Sequence, residues 1–387
     1  MTPFPPGIES LLAAQERVDQ FRDQAVRRAG AAVCDLAYAN SYDGAPQEVL
    51  AALRSAVDSD RALDLQYTPY GGATLARRHV SDALTVSHGT RFNFKDVVLT
   101  PGAMAALNVV FRCLANDPGS EVVIVTPCWL DYPLYLENLG LTPRFVPVHD
   151  QTLRLDLDRI EDAVGPKTRA VVLSQPANPT GILYDAAELE ALARILDRAP
   201  AQPLLIADEC HRDFTFAPHT FVSPLAFYDR TCVVYSFGKR LFIQGQRLGY
   251  VAVSPRHPDR RELSTMLERA MRLTGFCTPT ALMQRALGQL IELKPNCGGL
   301  IRRRETAIAA LLDSGYDVVP SQATFFLYPR TPGGDDFCFT ERLAQRGVLV
   351  LPAEVFHHRG HFRISLTASD DMLRRGLSAL CHERLAA

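Results

Sequence analysis

The chain has 387 residues, 47% hydrophobic and 22% charged, with a formal net charge of −2. That is the composition of an ordinary globular protein with room for one large domain and a smaller one. It builds no basic field for nucleic acid and contains no apolar run of bilayer-spanning length, which argues against a membrane protein.

The opening residues, MTPFPPGIESLLAAQ, lack a basic segment followed by an apolar core, so no signal peptide is read there and a cytoplasmic location is expected. Nine cysteines, an odd number at scattered spacings with no CxxC, point to free thiols rather than a disulfide framework. Residues 8–29 are polar, helix-prone and alternate in charge. Val33–Ala37 reads as a short strand. Pro46 opens a helix over PQEVLAALRSAV, in the first turn, where its missing N–H costs nothing.

From about residue 67 apolar β-type runs alternate with helical stretches. The strands expected are Val97–Thr100, Glu121–Val125, Arg144–Val146, Ala170–Ser174, Pro203–Ala207, Cys232–Ser236 and Leu248–Val253. Helical periodicity falls at Ala103–Leu114, Leu130–Leu139, Ala186–Leu196 and Arg261–Leu273. Apolar-throughout strands alternating with helices predict an α/β domain with a mostly parallel sheet covered on both faces. After residue 275 the rhythm changes. Two helices are expected near 279–293 and 298–313, then strands at Tyr316–Val319, Ala323–Tyr328, Val348–Leu351 and Phe362–Leu366, and a last helix capped by Ser369 or Asp370. This reads as a second, α+β domain joined by the N-terminal segment. The boundaries drawn are 46–275 for the large domain and 1–45 plus 276–387 for the small one.

In a parallel sheet ligands bind beyond the carboxyl ends of strands, and polar text stands there. After AVVLS comes QPANPTG (Gln175–Gly181). After PLLIA come Asp208, Glu209, Cys210 and His211. After CVVYS comes SFGKRLFIQGQRLGY (Ser236–Tyr250), with Lys239 and Arg247 between two core runs. VVLT leads through Pro101-Gly102 into Ala103 and Met104 at a helix start, and EVVIV leads into Thr126-Pro127-Cys128-Trp129. Most lysines are solvated; one between two core strands is placed for chemistry.

In this order and spacing the motifs resemble the fold-type-I pyridoxal-phosphate enzymes, class I/II aminotransferase branch, from about Tyr67 to Arg363. The resemblance implies the aspartate aminotransferase type of fold, with a seven-stranded sheet. It implies that Lys239 forms an imine with the cofactor aldehyde and shuttles the substrate proton. It gives Asp208 the pyridine nitrogen. It gives the phosphate to Ala103, Met104, Ser236, Arg247 and, across a homodimer interface, Tyr67. Trp129 matches the aromatic that stacks on the ring and Asn178 the partner of the ring oxygen. Arg363, in FRISLT, matches the binder of the α-carboxylate of an amino-acid or oxo-acid substrate. Asn178, Trp129 and Ala39 are expected beside that substrate.

The chain departs from the family pattern in places. His211 stands where members carry a tyrosine, and a histidine titrates nearer neutrality. Gly238 replaces a serine, Tyr38-Ala39-Asn40 replaces a Gly-x-Pro stretch, and Pro352-Ala353 replaces a Pro-Gly. These changes keep a second outcome open on the same cofactor: elimination, replacement, cyclisation, carbon–carbon bond formation or oxidation. A cofactor-sensing regulator would need a DNA-binding segment, which the residues before Tyr67 do not offer. The HHRGH cluster places His357 and His361 four apart, but Gly360 interrupts any helix, so a loop without a metal is expected. No GxGxxG is present, which leaves a nicotinamide site without a motif.

Overall fold

The computed structural model describes residues 7–385 apart from 59–60, 116, 118 and 276–277. The first six residues of the N-terminal reading and Cys277 lie outside the described residues; Cys34, Cys128, Cys210, Cys232, Cys297, Cys338 and Cys381 are free thiols. In chain order the strands are β1 (Cys34–Asp35), β2 (Val97–Thr100), β3 (Glu121–Thr126), β4 (Thr142–Pro147), β5 (Thr168–Ser174), β6 (Leu204–Asp208), β7 (Thr231–Ser236), β8 (Gly249–Val253), β9 (Phe326–Leu327), β10 (Val348–Leu349), β11 (Leu351–Pro352) and β12 (Phe362–Ser365).

The seven central runs form one sheet in the order β2-β8-β7-β6-β5-β3-β4. Pairing is parallel from β4 to β7 and antiparallel where β8 joins β7 and β2. Successive residues of β3 enter different cores: Val122 and Ile124 pack under the helices Ala103–Leu114, Tyr132–Asn138 and Arg260–Thr274, and Val123 and Val125 pack under Leu157–Ala163, Ala186–Arg198 and the first helix, Gly7–Ala29. Burial on both faces is why these strands read as continuous apolar runs rather than as an alternation.

The remaining strands make two small sheets. β9, β12 and β11 are antiparallel, and β1 pairs in parallel with β10, Cys34 opposite Val348. One apolar cluster holds Cys34 and Leu36 together with Leu300, Phe339, Phe362 and Leu377, so the N-terminal segment shares a core with the last ninety residues.

Several expectations give way to backbone accounting, since each buried N–H needs an acceptor. Tyr316–Val319 forms no strand: Tyr316 N–H closes the preceding helix on Leu311, and the Asp317 carbonyl accepts from Arg330. Ala323–Tyr328 shortens to β9 because the N–H groups of Gln322 and Ala323 donate to Gly181 and that of Thr324 to Phe214. Val348–Leu351 changes partners at Val350 and becomes β10 and β11. Pro46 is the N-cap of the helix Gln47–Val57 rather than a first-turn residue. The helices Thr74–His88 and Asp336–Gln345 were not anticipated. Among the described residues no helix is long and apolar enough to cross a membrane.

Candidate active site

The carboxyl ends of β3, β5, β6 and β7 lie along one edge of the sheet. β8 runs back from that edge, and register places Ser236 and Thr100 on either side of Gly249. The chain between β7 and β8 therefore leaves and re-enters the same edge, closed by Phe237 N–H donating to the Leu248 carbonyl at 3.0 Å. A single helical turn, Phe237–Arg240, carries Lys239 there. Gly238 packs closely: a Cβ on it would lie 3.1 Å from Gln244 Cα, where Ile243 N–H folds back onto the Gly238 carbonyl.

A cavity of about 160 Å³ opens at this edge. Nine of the ten residues expected at the cofactor line it: Ala103, Met104, Trp129, Asn178, Asp208, His211, Ser236, Lys239 and Arg247. Tyr67 does not, and its side chain is fully exposed. Ala39 also stands off the cavity, but Ala37, two residues earlier, offers a carbonyl to Arg363.

Each polar group has a defined setting. Asp208, buried at the end of β6, accepts from the Tyr132 hydroxyl at Oδ2 (2.6 Å) and from the Cys210 N–H at Oδ1 (3.1 Å). Burial and the adjacent carboxylate keep that phenol far from ionising. Trp129 meets Tyr132 edge-on at 5.6 Å. Gly102, at φ 81° and ψ −179°, occupies backbone space essentially reserved for glycine. It lets the Arg247 guanidinium lie against the start of the helix Ala103–Leu114, where free N–H groups and the helix dipole favour an anion.

Lys239 Nζ lies 5.5 Å above the Phe325 ring. Burial, aided by the charges of Arg363 and Arg247 and opposed by Cys210 and Asp208, brings its pKa down to about 8. His211 is buried edge-on to Phe325 and Phe326. Burial, then the charges of Lys239 and Arg363, hold it well below the ordinary histidine range, so it is neutral. Its Nδ1 has no partner, and an unpaired buried nitrogen costs about 1–3 kcal/mol.

Arg363 is buried on β12. Nη1 donates to Asn178 Oδ1 (3.1 Å) and Nη2 to the Ala37 carbonyl (2.9 Å), and Nε has no partner. Its guanidinium stacks over Phe326 at 4.0 Å and Phe356 at 4.8 Å. Burial pushes its pKa down to about 9. Among the described residues no carboxylate pairs with Arg363 or with Arg247. The site thus combines a near-neutral amine, an oriented carboxylate and two unneutralised guanidiniums.

Sequence reasoning missed Tyr132, Cys210 and Gln244. For Tyr132 a signal existed, since it follows Trp129 by three residues, about one helical turn. The Ala37 carbonyl has no side-chain signature at all.

Solved structures share this architecture. An amino transferase from Eubacterium rectale superposes with a TM-score of 0.92 over 100% of this chain and 99% of its own, at 23% identity. A single mutant of Thermus thermophilus aspartate aminotransferase gives 0.85 over 95% and 96%, at 24% identity. The fold is the aspartate aminotransferase type. The family model for aminotransferase class I and II matches residues 32–380, and the chain belongs to that family of transferases. Curated relatives include a probable aspartate/prephenate aminotransferase of Aquifex aeolicus, 28% identical over 81% of this chain and 82% of its own length. The aspartate/prephenate aminotransferase of Thermus thermophilus is 27% identical over 91% of each.

A lysine with its pKa near 8 becomes the nucleophilic neutral amine as pH rises through that value. Reductive trapping of a small aldehyde at Lys239, followed by peptide mass spectrometry, is expected to rise with a midpoint near pH 8, well below the ordinary lysine value of about 10.4.

Proposed function

We propose that the chain is a pyridoxal-phosphate aminotransferase acting on an L-α-amino acid. The observation that carries this reading is Arg363, a buried guanidinium without a carboxylate, one hydrogen bond from the cavity through Asn178. A planar, two-pronged cation in that setting suits the α-carboxylate of an amino or oxo acid. The names of the relatives point to the same substrate class.

The residues present fit the cofactor: an amine that titrates near pH 8, an anion cradle at Ala103 and Arg247, and a cavity-lining His211 whose Nδ1 has no partner. When bound, pyridoxal phosphate supplies an aldehyde for amines and an electron-withdrawing ring that acidifies the substrate Cα–H. Ser236, Arg247 and the N–H groups of Ala103 and Met104 hold the phosphate. Asp208, oriented by Tyr132, keeps a proton on the pyridine nitrogen, because opposite charge favours the cation. Trp129 packs on the ring, and Asn178 and His211 take its oxygen. Lys239 holds the aldehyde end at rest, then takes the substrate Cα proton onto Nζ and returns it. Ala39 stands on the substrate side.

The molecule acts as a cytoplasmic homodimer, with Tyr67 reaching the partner's phosphate; its full exposure within one chain supports this. Residues 46–275 form the large domain, and 1–45 with 276–387 the small one.

Wild-type protein with pyridoxal phosphate is expected to show visible absorbance that Lys239→Ala abolishes; colourless wild type would overturn the reading. A single addition of amino acid without an oxo acid should convert the cofactor with release of one oxo acid, whereas catalytic ammonia release or oxygen uptake would refute transamination. Arg363→Lys keeps the charge but loses the fork. It should lower kcat/KM about 10- to 100-fold, mainly through KM, the size expected for hydrogen bonds to a charged group.

A further inference from the structure

The HHRGH segment does form a loop ahead of β12, and its histidines separate within it. His357, at φ 56°, turns out to stack on Phe145 at 4.3 Å. His358 and His361 turn the other way and converge with Asp150, which follows β4. One donor atom of each lies within 4.8 Å of the other two, and His358 Nε2 is 3.5 Å from Asp150 Oδ1. The cluster stands outside the cavity described above and none of its members has a role in the proposed chemistry.

The surroundings orient all three groups. His358 Nδ1 hydrogen-bonds the Tyr328 hydroxyl at 3.1 Å, and His361 Nδ1 bonds the Arg359 carbonyl at 3.3 Å. His361 Nδ1 donates to that carbonyl, which leaves its Nε2 a lone pair, and His358 Nε2 has one when the Tyr328 hydroxyl accepts from Nδ1. The tautomer is set in this way at metal centres, where the second ring nitrogen bonds an outer partner. The Tyr328 ring lies parallel to His361, 4.9 Å away and 2° from coplanar, which fixes the plane of that imidazole. Arg330 holds Asp150 by its carbonyl and by Oδ2, so Oδ1 stays toward the histidines. Arg330 also pairs with Asp317. Two carboxylates therefore face one guanidinium, leaving one negative charge in excess beside two imidazoles. A plain ion pair would use His358 alone and leave the orientation of His361 without a purpose.

We propose that Asp150, His358 and His361 bind a divalent cation of the zinc class, with water as the fourth ligand. Two imidazoles and a carboxylate are an established donor set for Zn²⁺. Bonds of about 2.0–2.2 Å require the three donor atoms, which lie within 4.8 Å of one another, to draw closer together around the ion. The cation would tie the loop after the edge strand β4 to the segment leading into β12, two residues before Arg363.

The test uses tag-free, full-length protein loaded with pyridoxal phosphate and stripped of metal by chelator. Zn²⁺ is titrated by calorimetry, and retained metal is measured after dialysis. One equivalent per chain is expected, with a rise in the thermal midpoint. Co²⁺ in its place should give the intense visible bands of a tetrahedral site. Asp150→Asn, at an exposed position that spares the core, should weaken Zn²⁺ binding by at least about tenfold, as even outer-shell changes do. His358→Gln and His361→Gln should abolish both binding and the thermal shift. Absence of a retained equivalent overturns the proposal, and so does binding that survives in Asp150→Asn and His358→Gln at wild-type affinity.

Discussion

Burying Arg363 is the constraint on which the site depends. Its guanidinium draws together an asparagine 185 residues away and a backbone carbonyl 326 residues away. These belong to the loop after β5, to the segment after β1, and to β12 itself, so one side chain ties both ends of the chain to the edge of the large sheet. Two aromatic faces cover it and no carboxylate neutralises it. Burial of an uncompensated charge is costly. It persists because the elements around it are fixed independently: β12 by β9 and β11, and β1 by β10.

The same logic orders the rest of the cavity. Burial acts on Lys239, His211 and Arg363 in the same direction, and the charge of Arg363 adds to it at Lys239 and at His211. Asp208 lies nearby with two donors on its oxygens. The result is a pocket with an amine titrating near pH 8, a neutral imidazole and a guanidinium that no carboxylate among the described residues pairs with.

The sequence made much of this legible, for a physical reason. Strands buried on both faces announce themselves, and residues just past their carboxyl ends are forced to one edge. Lys239, Asp208, Asn178 and Arg247 follow from that rule. Tyr132 does not, because its role lies in one hydrogen bond across 76 residues, and neither does Ala37, which contributes only backbone. The strand read at Tyr316–Val319 failed because apolar spacing says nothing about whether a neighbouring strand exists to pair with it. In HHRGH the four-residue spacing drew attention to His357, whereas the loop's left-handed turn at that residue faces it away from His361. Tyr67 is legible as an aromatic in a loop, and one chain alone gives it nothing to touch.

The reversal of β8 separates two kinds of control. Lys239 and Arg247 are spaced by a backbone ladder in which Ser236, Gly249 and Thr100 sit at fixed inter-strand distances of about 4.8 Å. No side-chain substitution can stretch that ruler. Arg363 and Ala37 answer instead to short strands and loops, joined to it by packing and scattered hydrogen bonds such as that of Arg363 to Asn178. One half of the pocket is therefore set by a backbone ladder and the other by side-chain bonds, so a substitution that displaces Arg363 leaves the spacing of Lys239 and Arg247 untouched.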